Sequence, residues 1–258
     1  MPRPPCNSHS SSPPWWRKFF ESPDSLTLGR FPDAVTSSRE AEGAAGLLAL
    51  QAGMTLADVP CGPGRHLPYW AELGCHTIGL DASDMMIRLA RKAVLSAPGC
   101  VHVVQGLMEA LPFRNQTFDV MVSLFNSFGY LDTDEANQRV LAEAARCLRP
   151  GGKYLLDTRN PPVEILLAPW GDEIILSDGR RLRAWASYSR ETRRLAVRWV
   201  NTPDGRIVYE ASIRLYPVHE LEAMFDAVGM EVEAIYSDFF GSPFSSADAQ
   251  VVLLARRR

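Results

Sequence analysis

The chain of 258 residues is long enough for one large α/β domain, or for one domain with a sizeable insertion. Its 46% hydrophobic and 22% charged residues are typical of a soluble globular protein, and the net charge of −3 argues against a general grip on nucleic acid. No apolar run approaches the ~20 residues of a membrane span, and the N-terminus lacks the apolar core of a secretory signal. The five cysteines are scattered without paired spacing, which favours a reducing, cytoplasmic setting without disulfides or a zinc site.

The N-terminal region divides into two parts. Residues 1–14 are rich in proline and serine and show no periodicity, so we expect a disordered tail. Residues 15–36 bring together five aromatic side chains: Trp15, Trp16, Phe19, Phe20 and Phe31. Such side chains need cover, so this segment is either a clasp on the core or a lid over the mouth of an active site.

The segment 37–160 alternates short apolar strands with amphipathic helices. Strands are predicted over 55–59, 75–81, Val101–Gln105, 118–124 and 153–157. Helices are predicted over 39–51, 65–73, 85–96 and 134–148, the first capped by Ser37 or Ser38 and ended by Gly53, and the third capped by Ser83 or Asp84. This alternation predicts a parallel sheet with crossover helices.

The pattern changes over residues 161–216. From about residue 172, β-branched and aromatic residues alternate with polar ones, and turn signals lie at 177–179 and 202–205. One face of one strand would carry Leu182, Ala184, Ala186 and Tyr188, and one face of a later strand Ile207, Tyr209, Ala211, Ile213 and Leu215. We therefore expect an antiparallel insertion of three or four strands that covers a substrate. Residues 217–258 return to the core pattern, with a helix over 218–228 and strands over Met230–Tyr236 and 249–255.

Two acids and a glycine loop mark a candidate ligand site. Asp58 ends the first strand, and Gly62 and Gly64 follow in a loop whose backbone can approach a ligand without a Cβ in the way. Such a loop lies at the carboxyl end of a strand, where open α/β sheets bind ligands. Asp81 ends the second strand, and an acid there can accept hydrogen bonds from ribose hydroxyls.

Four blocks in register resemble the class I S-adenosylmethionine-dependent methyltransferases. They are Asp58-x-x-Cys61-Gly62-x-Gly64-Arg65, then Gly79-Leu80-Asp81-Ala82-Ser83 with Met86, then Leu111-Pro112-Phe113 before Phe118-Asp119-Val120, and last Leu148-Arg149-Pro150-Gly151-Gly152. The resemblance covers residues 40–160 well and the last helix and strands loosely. It implies a Rossmann-like α/β fold: a seven-stranded, mostly parallel sheet with helices on both faces and an antiparallel β insertion after strand 5.

The resemblance also implies S-adenosyl-L-methionine as cofactor. Asp58 and the loop backbone would hold its methionyl end, and Asp81 its ribose. The full set of implied cofactor residues is Asp58, Cys61, Gly62, Gly64, Asp81, Ala82, Met86, Leu107, Met108 and Leu124. Two positions depart from the family pattern: Pro60 replaces a glycine and lacks an N–H, and Leu107 replaces an acid for the adenine amino group.

The segment after the fourth strand, 125–130, is similar to that of small-molecule N-methyltransferases, including enzymes that dimethylate aminosugars. Asn126 and Tyr130 are the candidate catalytic residues. Tyr130 can orient an amine, but the ordinary tyrosine pKa of about 10 makes it a poor base. An amine needs little beyond in-line alignment and exclusion of water, whereas a hydroxyl needs a base. We expect no metal, because the fourth strand ends without a carboxylate and Asp157 and Asn160 are not adjacent.

Other features have competing interpretations. Asn160-Pro161-Pro162-Val163 is similar to the Asn-Pro-Pro-aromatic motif of methyltransferases that act on planar amino groups, but it follows the fifth strand and ends in valine, so a rigid exit is preferred. His66 is interpreted as part of a wall and His219 as structural. The arginines of the insertion indicate either a solvated sheet face or an anionic substrate: Arg180, Arg181, Arg183, Arg190, Arg193, Arg194, Arg198, Arg206 and Arg214.

We therefore expect a cytoplasmic methyltransferase that acts on a small molecule, at nitrogen, by in-line transfer without metal and with no nucleic-acid or membrane partner. One alternative is a protein of the same fold that binds the cofactor without methylating. Another is a nicotinamide-dependent oxidoreductase, which the Arg-Pro-Gly-Gly block and the trailing hairpin disfavour.

Overall fold

The computed structural model describes residues 13–161, 163, 171 and 173–258. Most of the predicted tail and part of the start of the predicted insertion lie outside these residues. The helices are α1 Trp15–Phe20, α2 Asp24–Leu28, α3 Ala34–Leu48, α4 Leu67–Glu72, α5 Asp84–Ala93, α6 Asp134–Cys147 and α7 Val218–Asp226. The strands are β1 Thr55–Asp58, β2 His76–Asp81, β3 Val101–Gln105, β4 Phe118–Ser123, β5 Leu148–Arg159, β6 Glu173–Ile175, β7 Arg181–Ser189, β8 Arg194–Asn201, β9 Ile207–Arg214, β10 Met230–Tyr236 and β11 Gln250–Arg257.

The larger sheet confirms the predicted Rossmann-like architecture. Its seven strands have the order β10-β11-β5-β4-β1-β2-β3, and only the pairs of β11 with β5 and β10 are antiparallel. The strand order reverses between β1 and β4, and ligands bind beside the carboxyl ends of strands at such a reversal. Apolar side chains fill both faces, with Trp70 from α4 on one and Phe225 from α7 on the other, both fully buried. This two-sided burial fixes the strand ends that carry Asp58 and Asp81.

The insertion is a four-stranded antiparallel sheet in the order β6-β7-β8-β9. Along β7 the burial alternates strictly, with Leu182, Ala184 and Ala186 inside, as the period of two predicted. The prediction for β9 was wrong at its first residue. A register shift between Trp199 and Val200 breaks the alternation, and Ile207 is consequently exposed.

Both ends of helix α3 and the start of strand β5 differ from prediction for local reasons. Helix α3 begins earlier, because the Asp33 carboxylate accepts the Thr36 N–H at 2.8 Å and caps it, whereas Ser37 lies within the helix and is buried. The helix ends at Ala49, which is in the left-handed region, before Gly53 is reached. Strand β5 includes the Arg-Pro-Gly-Gly block, which bulges between the residues that pair with Phe118 and Val120. In the described part of the chain, no helix combines the length and apolarity needed to cross a bilayer.

Candidate functional site

One cavity of about 530 Å³ lies at the strand-order reversal and is bounded by three walls. The first wall is the end of β1, β2 and β4 with the glycine loop. The second is the N-terminal segment, which contributes Trp15, Phe20 and Phe31. The third is the inner face of the insertion, which contributes Trp199 and Ile213 among others. A ligand in this cavity would therefore contact all three parts of the chain.

The glycine loop is fastened to the end of β2. Gly62, with a φ of +53°, donates its N–H to Asp81 Oδ2 at 2.9 Å, and Ser83 N–H donates to Asp81 Oδ1 at 2.9 Å. Cys61 N–H donates to Leu80 O at 2.8 Å. Burial raises the pKa of Asp81 to about 6, although these backbone N–H groups favour its ionised form. Asp81 thus holds the loop and the start of α5 together at the rim of the cavity.

Asp58, the last residue of β1, has a buried carboxyl that lines the cavity below this rim, and 2% of its surface is exposed. Burial raises its pKa to about 8, with Arg65 opposing the shift and Asp81 adding to it. A carboxylate kept from water in this way is expensive to ionise alone, and a cation bound beside it would stabilise its charge. This wall of the cavity is therefore suited to a positively charged group.

A polar cluster behind Asp58 supports the loop. His66 lies between Glu40 and Asp58, with Nε2 at 3.2 Å from Glu40 Oε2 and Nδ1 at 4.0 Å from Asp58 Oδ2. Burial lowers the pKa of His66 to about 4, so the ring is neutral at pH 7. Arg65 pairs with Glu40, and its guanidinium lies 5.0 Å from the centre of the Phe125 ring. His66 thus lines the cavity as a neutral wall group.

The exit from β4 has a strained backbone held by a buried acid. Phe125 and Asn126 both have a φ of +60°, in the left-handed region. Asp157 accepts the Phe125 N–H at 2.8 Å and the Gln250 side-chain N–H at 2.9 Å, and burial raises its pKa to about 6. Asp157 therefore serves to position the residues of this exit.

Tyr130 lies where the three walls meet. Its ring packs edge-on to Trp15 at 4.9 Å and stacks with Phe20 at 6.0 Å, and its carbonyl accepts the Trp15 indole N–H at 3.3 Å. Burial raises the pKa of its phenol to about 12, so the hydroxyl is neutral. Just before it, Gly129 has a φ of +94°, and its carbonyl accepts the Arg214 N–H at 2.8 Å, which joins this loop to β9.

The residues predicted from the sequence are largely brought together. The following line the cavity: Asp58, Cys61, Gly62, Asp81, Ala82, Met86, Leu107, Met108, Leu124, Asn126 and Tyr130. Gly64 faces away from it, because a Cβ there would lie 2.9 Å from Ala90 of α5, so its glycine permits loop and helix to pack. Leu107 is 37% exposed at the rim. The carboxylate position that the family pattern leads one to expect is therefore occupied by an exposed alkyl group.

The sequence did not single out two supports of the site. Glu40 contacts the loop from α3, and its only sequence signal is an acid on the helix face that also carries Ser37 and Ala41. Glu21 accepts the N–H of Asp84 at 2.9 Å and that of Met85 at 3.3 Å, which caps α5. Ser83 Oγ donates to Phe20 O at 2.8 Å. These hydrogen bonds thus attach the N-terminal segment to the residues that follow Asp81, at the start of α5.

Asn160 and His219 lie elsewhere. The Asn160 amide donates to Ser246 O at 3.0 Å and to Asp248 O at 2.7 Å, which ties the end of β5 to the approach to β11. These two bonds occupy both side-chain N–H groups of Asn160. They support the interpretation of this segment as a rigid exit from β5. His219 is the second residue of α7 and does not line the cavity.

Comparison with known proteins gives a consistent result. A family model described as a methyltransferase domain matches residues 56–152. The dTDP-3-amino-3,4,6-trideoxy-alpha-D-glucopyranose N,N-dimethyltransferase of Streptomyces venezuelae is 33% identical over 187 residues, which are 69% of this chain and 76% of that protein. The crystal structure of DesVI from Streptomyces venezuelae is 29% identical, with a TM-score of 0.63 over 91% of this chain and 96% of that one. The CcbJ methyltransferase from Streptomyces caelestis is 20% identical and shares the fold, with a TM-score of 0.75 over 93% of this chain and 97% of that one.

Proposed function

The chain belongs to the class I S-adenosylmethionine-dependent methyltransferases, and from this premise we propose that it methylates the amine nitrogen of a small molecule. The observation that carries the proposal is the single cavity that runs from the acidic glycine-loop rim to Tyr130 and the insertion. The similarity to an N,N-dimethyltransferase supports nitrogen as the acceptor atom.

The chemistry of the rim fits this cofactor. S-adenosylmethionine has an ammonium group and a sulfonium, and the buried Asp58 carboxyl is a suitable partner for such a cation. We assign Asp58 and the backbone of Cys61 and Gly62 to the methionyl end, and Asp81 to the ribose hydroxyls. Met86, Leu107 and Met108 are assigned to the adenine, and Ala82 and Leu124 to the adjoining walls. Gly64 shapes the loop.

The protein's part in the reaction is modest. When bound, the cofactor supplies a methyl group that is already strongly electrophilic. The nucleophile must be a neutral amine. Trp15, Phe20 and Ile213 line the cavity, and their apolar surface disfavours the charged ammonium form by desolvation. Tyr130, whose hydroxyl is neutral, would accept a hydrogen bond from the amine and so direct the amine's lone pair toward the methyl group. Asn126 would also orient the amine. A general base is unnecessary for this attack.

We do not assign a negative charge to the substrate. None of the nine arginines between residues 180 and 214 is among the described residues that line the cavity. Several are paired at the surface, such as Arg198 with Glu210 at 2.7 Å and Arg180 with Asp24 at 2.8 Å. Seven of the nine are exposed, which supports the interpretation as a solvated sheet face for them, whereas Arg214 is buried and pairs with Asp134 at 3.1 Å.

The decisive experiment incubates the protein with methyl-labelled cofactor, a panel of small amines and a metabolite extract. The expected product carries the label on nitrogen, and the Asp81→Asn variant should form much less of it. Saturable cofactor binding without any labelled product would contradict the proposal and favour a sensing role. Label on oxygen or carbon would contradict the assignment of nitrogen.

A further inference from the structure

The inner face of the insertion is apolar where it lines the cavity. Among the described residues of the insertion, those that line the cavity are Ile174, Ala184, Val197, Trp199, Ala211 and Ile213. The Trp199 ring stacks on Phe19 at 4.9 Å with an interplanar angle of 26°, which fixes it against α1. Whatever lies against this face therefore meets alkyl and aromatic surface.

The charges of the same sheet lie on its other side or at its ends. On β7 the side chains of Arg181, Arg183 and Trp185 are exposed, because successive residues of a strand point to opposite faces. Arg193 and Arg214 both pair with Glu220. The arginines that do line the cavity come from the other walls: Arg30, Arg65 and Arg159.

We propose that the acceptor carries its amine on an apolar ring or alkyl body that lies against this inner face, and that the face selects against acceptors with a charged group there. The proposal rests on the proposed function and specifies its substrate class. Burying a phosphate or carboxylate against such surface is strongly unfavourable without a paired cation, whereas an apolar body gains about 25 cal/mol for each Å² removed from water. A dTDP-linked sugar, as named for the Streptomyces venezuelae relative, would therefore be a poor acceptor if its diphosphate lay on this side.

Ile213 is the residue that tests this selection. It is partly buried, lines the cavity and pairs with Leu195 across the sheet. Ile207 lies on the same strand but is 49% exposed and is outside the cavity. Ile213→Arg and Ile207→Arg are therefore a matched pair of variants, with the new charge inside the cavity in the first and outside it in the second.

The experiment measures both binding and turnover for two amines of similar size: cyclohexylmethylamine and its analogue with a ring carboxylate. Binding is measured by calorimetry in the presence of the demethylated cofactor, and turnover with methyl-labelled cofactor. The wild-type protein should bind and methylate cyclohexylmethylamine at least tenfold better than its carboxylate analogue. Ile213→Arg should lower that preference at least tenfold without changing cofactor affinity, and Ile207→Arg should leave both unchanged.

The outcomes separate the two proposals. Equal or better binding of the ring carboxylate, whose charge is on the body that lies against the inner face, overturns the assignment of an apolar body, even if nitrogen is methylated. Selective binding of the uncharged amine without turnover contradicts the proposed function but supports the apolar chamber. If Ile213→Arg does not fold, as judged by its Tm and cofactor affinity, Ile213→Thr should lower the preference in the same direction, and an unchanged preference in that variant overturns the proposal.

Discussion

Cofactor affinity should rise with pH between 6.5 and 8, because Asp58 must lose a proton to pair with the cofactor's ammonium group. Burial raises the pKa of Asp58 to about 8 in the free protein. At pH 7 about nine in ten free molecules would therefore carry the protonated acid. Asp81, whose pKa is raised to about 6, is mostly ionised over the same range and contributes little to the change.

The size of the effect follows from these values. The ionised fraction of Asp58 rises from about 0.03 at pH 6.5 to about 0.5 at pH 8, so the dissociation constant should fall about 15-fold if the complex holds Asp58 ionised throughout. This corresponds to about 1.6 kcal/mol of binding free energy. The cofactor's own amino group also loses its proton near pH 8, which reduces the net rise in affinity to about eightfold at that pH and lowers affinity above it.

Calorimetry with the demethylated cofactor, repeated in two buffers of different ionisation enthalpy, measures both affinity and proton release. About 0.9 protons should be released on binding at pH 7. Asp58→Asn should bind more weakly at every pH and release no proton. A dissociation constant that stays constant from pH 6.5 to 8, or proton release that persists in Asp58→Asn, would refute this role of Asp58.

Four further outcomes are expected. Asp58→Asn should raise the Tm of the cofactor-free protein more at pH 8 than at pH 5, because a raised native pKa means that stability is lost as pH rises toward that pKa. Tyr130→Phe should lower kcat/KM about tenfold by losing one hydrogen bond, with cofactor affinity unchanged in calorimetry. Gly129→Ala should lower stability by about 2–4 kcal/mol in urea unfolding, since its Cβ would lie 2.1 Å from Arg214 O at a φ of +94°. Asn160→Ala should lower stability by about 1–3 kcal/mol while kcat per folded molecule stays unchanged.

Three of these outcomes have a control or a contrary result. Gly179→Ala, at a φ of +84° with no atom within 4 Å of its Cβ, should cost less than Gly129→Ala, and equal losses would remove the role of the close approach. Complete loss of kcat in a folded Asn160→Ala would restore a catalytic role for that amide. A fall in kcat of Tyr130→Phe that is reversed by raising the pH would indicate that the phenol acts as a base.

The strands of the larger sheet could be predicted because they are short runs rich in apolar and β-branched residues. The ranges of β3 and β10 are as predicted, and the order of strands and helices follows from apolar runs bounded by glycine and proline. The ends of helices were harder to predict from the sequence. Asp33 and Ser37 are both competent caps in sequence, and the choice depends on Ser37 being buried near Arg65 in the folded chain.

The residues of the site also differ in whether the sequence could predict them. Asp58, Gly62 and Asp81 are close in sequence to strand ends, so their convergence follows from the topology of a parallel sheet. Glu40 reaches the site from α3, and no local pattern places it there. The aromatic cluster that contains Trp15 predicted either a clasp or a lid, and the sequence did not decide between them. The period of two predicted Ile213 on the same face of β9 as Tyr209 and Ala211, and the register shift at Trp199 and Val200 affects only the other end of that strand.

The N-terminal helix and the insertion are distant in sequence but form one unit in space. Phe19 stacks on Trp199, Ser22 shares a hydrogen bond of 2.6 Å with Tyr209, and Asp24 pairs with Arg180. A chimera that exchanges the insertion alone would separate these partners and expose the apolar side of α1. Transplanting acceptor selectivity between members of the family therefore requires moving both segments together, and natural variation in one should be accompanied by compensating change in the other.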